Sequence, residues 1–94
     1  MAGFSYYNID FKRYGNGPLL YAHGDITNSS GKDYNTAVFR LSIFDKNTLI
    51  WTGNIKVRGL RKRQTKSFEV SLEGIDATVL KAISRYDIYF ESGY

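Results

Sequence analysis

The chain contains no cysteine. That excludes a disulfide framework, a thiolate metal site and a cysteine nucleophile, and it leaves the compartment undecided. Proline occurs once, at Pro18, and histidine once, at His23. No internal repeat and no low-complexity stretch is present. No apolar run approaches the roughly 20 residues that a membrane-spanning helix needs. The opening Met1-Ala-Gly-Phe-Ser-Tyr-Tyr7 lacks the basic-then-apolar pattern of an export signal. The chain is therefore expected either to stay inside the cell or to be one domain of a longer exported protein.

What is present describes a folded domain. A length of 94 residues suits a single domain, 1–94, with one modest core. A hydrophobic share of 43% argues against disorder. The aromatic share of 16% favours strands, because aromatic side chains pack well on a pleated surface.

The clearest strand signal is Thr36-Ala-Val-Phe-Arg-Leu-Ser-Ile-Phe-Asp45. Ala37, Phe39, Leu41 and Ile43 alternate with Val38, Arg40, Ser42 and Phe44, so the first set reads as core and the second as a mixed outer face. Asp45-Lys-Asn47 is a turn, and Leu49, Trp51, Gly53, Ile55 and Val57 then read as the inward face of a hairpin partner. Upstream, Phe4 to Phe11 is rich in aromatics but alternates poorly, as an edge strand would. Tyr14-Gly-Asn-Gly-Pro18 reads as a loop. In the strand from Leu19 to Thr27, Leu20, Ala22, Gly24 and Ile26 share a face, and Gly24 signals a bulge or a close approach. Downstream, Phe68, Val70 and Leu72 form a fifth inward set. Ile75, Val79 and Ile83 recur at helical spacing, which predicts at most two helical turns over 76–83. Tyr86, Ile88 and Phe90 supply a last strand. Short strands with turns between them predict an all-β, antiparallel, immunoglobulin-like β-sandwich of six to seven strands.

The phrase Gly24-Asp-Ile-Thr-Asn28, the strand ending Leu41-Ser-Ile-Phe-Asp45, and Thr65-Lys-Ser-Phe-Glu-Val70 together resemble the FxLYD domain family. Leu41, Ile43, Phe44 and Asp45 stand at the positions of that family's Phe, Leu, Tyr and Asp. The resemblance spans most of residues 18–91. It implies an immunoglobulin- or fibronectin-like module of bacterial and archaeal envelope or secreted proteins, with no known activity. The chain departs from the family in one place: Leu60-Arg-Lys-Arg-Gln64 replaces the usual Pro-Gly turn.

That departure is also the one charged feature. Lys56, Arg58, Arg61, Lys62, Arg63 and Lys66 lie within a stretch free of acids. They outnumber the whole net charge of +4, so the remainder of the chain is net acidic. Such a cluster attracts phosphate, sulfate or carboxylate groups and is the candidate anion-binding site. Its bland reading is a solvated hairpin whose charges guard an edge against aggregation. Nucleic-acid binding wants exposed aromatics for stacking, and none falls between Lys56 and Lys66; Tyr21 and Tyr89 are the best available platforms.

Other constellations carry less. His23 and Asp25 share a strand face about 7 Å apart, as a base and its orienting carboxylate would. No second histidine, third ligand or nucleophile accompanies them. Asn28-Ser-Ser30 matches a glycosylation sequon in form and reads as turn chemistry. Trp51 reads as core by its phase. The sequence thus predicts no catalytic residue, no metal and no cofactor. The expected role is a non-catalytic structural or protein-interaction module of a larger envelope-associated or secreted protein. A small basic β-barrel that binds nucleic acid or another polyanion through Lys56–Lys66 is the alternative. Partner identity and oligomeric state are not encoded in any motif.

Overall fold

A computed structural model describes residues 3–13, 15, 19–75 and 77–94. The predicted loop at Tyr14–Pro18 lies, apart from Gly15, outside these residues. Among the described residues there are six strands: β1 (Phe4–Arg13), β2 (Leu20–Asn28), β3 (Tyr34–Asp45), β4 (Thr48–Leu60), β5 (Thr65–Ser71) and β6 (Arg85–Gly93). They form two antiparallel three-stranded sheets, ordered β1-β2-β5 and β4-β3-β6. The chain crosses between sheets after β2, after β4 and after β5. The last crossing carries a 3-10 helix over Ala77–Ala82, within the span where helical spacing was predicted. Among the described residues no helix is long and apolar enough to cross a membrane.

The two central strands, β2 and β3, supply most of the core. Leu20, Ala22 and Ile26 on one sheet, and Ala37, Phe39, Leu41 and Ile43 on the other, are wholly buried. This is the predicted phase of both strands. Fully burying the Leu, Ile and Phe side chains among them contributes roughly 1.5–3 kcal/mol each, so these faces hold the sandwich closed. Ile55, Val57, Leu60, Phe68 and Leu72 complete the buried cluster.

Two register shifts explain where simple alternation breaks down. In β1, Asn8 and Ile9 together oppose Gly24, and Asn8 adopts a φ of 55°. The extra residue flips the phase, so Phe4 and Tyr6 face inward before it and Ile9 and Phe11 after it. In β4, a shift beside Ile43 and Phe44 pairs Trp51 with Ile43 but Leu49 with Phe44. Leu49 is consequently 51% exposed, contrary to the inward position predicted for it. Trp51 is only partly buried. Its indole lies over Gly53, where any Cβ would collide with the ring, and its Nε1–H donates to the Glu73 carbonyl at 2.9 Å.

Candidate functional site

The basic stretch spans the end of β4, the turn after it and the start of β5. Lys56 and Arg58 alternate with buried Ile55 and Val57, so both project from the outer face of the second sheet. Arg61, Lys62 and Arg63 are exposed in the turn. Lys66 differs. It opposes buried Ile26, which gives it an inward phase, and its ammonium crosses between the sheets to donate to the Arg58 carbonyl at 2.9 Å. The six cations therefore do not share one face. Lys56, Arg58 and Lys66 line an open groove of about 370 Å³ along the β4 and β5 edges, together with Ser67 and Glu69.

The basic turn is seated on Asn28, the one fully buried polar side chain among the described residues. Its Nδ2 donates to the carbonyls of Lys32 at 2.7 Å and Leu60 at 3.2 Å. Its Oδ1 accepts from the Ser30 backbone N–H at 3.0 Å and the Ser30 hydroxyl at 2.6 Å. The Arg63 N–H donates to the Asn28 carbonyl, and the Asn28 N–H to the Gln64 carbonyl. One side chain thus joins the β2–β3 and β4–β5 connections. Both Nδ2 hydrogens are used and enclosed, so the sequon at Asn28 is not accessible in the folded chain. Asp33 brings a carboxylate into the same turn by accepting from the Lys62 N–H at 2.8 Å.

On the outer face of the first sheet, His23 and Asp25 do share a side, but they do not engage each other directly. His23 Nε2 lies 3.8 Å from Asp10 Oδ2, too long for a hydrogen bond, and this nitrogen is enclosed without a hydrogen-bond partner. Asp25 instead accepts from the Ser67 hydroxyl at 2.6 Å and from Asn8 Nδ2 at 2.8 Å. These two donors, Ser67 first, hold its carboxyl below the usual aspartate range. The group that phase suggested as an orienting carboxylate is occupied in tying β1, β2 and β5 together. Among the described residues no three His, Cys, Asp or Glu side chains gather as a metal set.

The third feature is a hollow flank where the outer strands β1 and β6 face each other across the sandwich. Phe4 stacks on Phe90 at 4.8 Å and meets Phe39 edge-on at 5.0 Å. Phe11 meets Tyr86 at 5.7 Å. Around these bridges lie two open hollows. One, of about 540 Å³, is lined by Phe4, Tyr6, Tyr34, Ile88 and Phe90. The other, of about 460 Å³, is lined by Ile9, Phe11, Ile83 and Tyr86.

No family model, curated protein or solved structure matches this chain. Its site is therefore read from geometry.

The two tyrosines suggested as stacking platforms are separated by the thickness of the molecule. Tyr21 lies on the outer face of the first sheet, where its ring stands 6.0 Å from that of His23. Tyr89, 53% exposed, lies on the outer face of the second sheet. Sequence reasoning missed the β1–β6 flank. The inward phase of Tyr86, Ile88 and Phe90 was readable, but which strand would be left at an edge depends on sheet order, which no local motif encodes.

Proposed function

We propose that this domain is a non-catalytic protein-interaction module of the FxLYD kind, with an immunoglobulin-like sandwich, acting within a larger envelope-associated or secreted protein. Support for the family reading comes from where its motif residues fall. Asn28 is the buried link between two turns, Asp45 ends β3, and Thr65–Val70 lies within β5. Strands that cross three times between sheets, around a core of β2 and β3, support the immunoglobulin-like reading.

The observation that carries the function is the β1–β6 flank. It presents aromatic hollows beside a strand edge, the pairing of backbone and pocket through which sheets capture extended segments. Two of the candidate polar groups are committed elsewhere: Asp25 to Ser67 and Asn8, and Lys66 to a backbone carbonyl.

The polyanion alternative makes the opposite demand. It needs cations and stacking aromatics on one surface: Tyr89 shares the outer face of the second sheet with Lys56 and Arg58 as a single platform, while Tyr21 lies on the opposite face of the molecule. Titration with single-stranded DNA and with heparin at low and at physiological salt separates the two. The module reading expects weak binding through charge alone, fading by roughly tenfold or more as salt rises to about 0.15 M. Submicromolar binding that survives physiological salt overturns it.

A further inference from the structure

Resting on the reading of this domain as an interaction module, we infer that the β6 edge pairs antiparallel with β6 of a second copy, about a two-fold axis at Ile88. Among the described residues, three of the four outer strand edges are defended. β1 carries the Asn8–Ile9 irregularity. Between β4 and β5, inward-phased Lys66 places an ammonium on the Arg58 carbonyl, and Lys56 and Arg58 flank it. Inward charges and bulges of this kind block strand addition. From Arg85 to Phe90, β6 has no lysine, no proline and no register shift; its one irregularity comes later, beside Val38 and Phe39.

The direction of its backbone groups follows from two observations. Thr36 and Tyr94 exchange reciprocal N–H to carbonyl bonds of 3.1 and 3.0 Å, so even-numbered residues of β3 bond towards β6. Arg58, opposite Thr36 on β4, points its carbonyl outward to Lys66, as the same alternation requires. Arg40, Ser42 and Phe44 of β3 are paired with Tyr89, Asp87 and Arg85. The N–H and carbonyl groups of Tyr86, Ile88 and Phe90 therefore point away from the sheet, with no strand beyond them among the described residues.

Pairing this edge with itself about Ile88 uses all three. Ile88 meets Ile88, and Tyr86 meets Phe90, in hydrogen-bonded positions. Between them Asp87 meets Tyr89, and at each end, where the regular pairing stops, Arg85 of one copy lies beside Glu91 of the other, the extra residue of the β3–β6 register shift. The charges are complementary at both ends, although Arg85 within its own chain already donates through Nη1 to Asp87 at 3.2 Å and lies 3.9 Å over the Phe44 ring, so the new pair uses its other guanidinium nitrogens. Arg40 reaches Glu91 through Oε2 alone, so the carboxylate retains a second oxygen for the incoming guanidinium. The other registers that keep the hydrogen-bond pattern fit less well. Centring on Tyr86 runs the pair into the 3-10 helix side, and centring on Phe90 runs it into the shift after Phe90; centring on Asp87 sets two aspartates opposite each other, and centring on Tyr89 sets Asp87 opposite Glu91. The product is an isologous dimer with one continuous sheet, β4-β3-β6 followed by its symmetric copy.

The test is charge exchange read by sedimentation velocity and native mass spectrometry. Arg85→Glu alone sets two carboxylates against each other at both ends of the paired strands. Glu91→Arg alone sets two guanidinium groups against each other there. Each variant, confirmed folded by its melting curve, is expected to self-associate at least about tenfold more weakly than the parent chain. Mixed in equal amounts, the two variants regain opposite charges at both ends and form a one-to-one heterodimer. A parent chain that stays monomeric up to about 1 mM, single variants that dimerise like the parent, or a mixture that stays as weak as its components each overturn the proposal. None of these outcomes touches the polyanion titration, so the module reading stands or falls separately.

Discussion

At the scale of single residues, Asn28 decides more than any charged group. Four hydrogen bonds converge on its amide in a fully buried position. Asn28→Asp keeps the size but loses both donated bonds, leaving the Lys32 and Leu60 carbonyls short of a partner and setting a carboxylate beside them. An unsatisfied buried polar group costs about 1–3 kcal/mol, so the substitution is expected to remove about 2–4 kcal/mol from a domain of modest total stability. Arg61→Ala or Lys62→Ala, exposed in the turn that Asn28 supports, should change stability by less than about 0.5 kcal/mol. Urea unfolding of the three variants checks the contrast. Equal midpoints for Asn28→Asp and Arg61→Ala would remove Asn28 from this role.

At the scale of elements, legibility followed regularity. The faces of β2, β3 and β5 could be read because each keeps strict alternation along its length. Leu49 was misplaced because the register shift before Trp51 is invisible in a sequence of apolar residues that fit either phase. The poor alternation of β1 had the same cause, the extra residue at Asn8–Ile9, and Gly24 was its visible trace. Gly24 is not itself bulged; it leaves room for the bulge opposite. A Cβ there would collide with Ile9 Cδ1 and stand 3.1 Å from the Phe68 ring. Gly24→Ala should therefore cost about 1–3 kcal/mol, as overpacking does. Ile9→Val deletes the colliding methyl and by itself should cost about 0.5–1.5 kcal/mol. In the double variant the two costs should fall short of their sum by at least about 0.5 kcal/mol. Strict additivity in denaturant melts would mean that Ile9 does not fill the space Gly24 leaves. For the candidate site, the basic stretch was legible as composition, but its division among a sheet face, a turn and an inter-sheet contact required the fold.

At the scale of the whole molecule, function turns on how two small sheets end. β2 and β3 are paired on both sides, whereas β1, β4, β5 and β6 each have one unpaired flank among the described residues. Along an outer strand, backbone groups alternate between the neighbour and the edge, and amide hydrogen exchange reports which is which. In dilute solution, where single copies prevail, the amides of Asp87 and Tyr89 bond to β3 and should exchange slowly. Those of Tyr86, Ile88 and Phe90 point outward and should exchange faster by about a hundredfold or more, since edge amides open without unfolding the core. β4 supplies an internal control: Ile55 and Val57 should be protected, and Lys56 and Arg58 should not. Raising the concentration into the dimer range should protect Tyr86, Ile88 and Phe90 selectively while leaving Lys56 and Arg58 unchanged. Protection of the opposite parity on β6 at low concentration would reverse the assigned direction of its backbone and with it the register about Ile88. Protection that never alternates would mean that some other segment covers this edge. The alternation is thus a consequence of the Thr36–Tyr94 bonds and the β3–β6 register alone, and it can be measured before any partner is known.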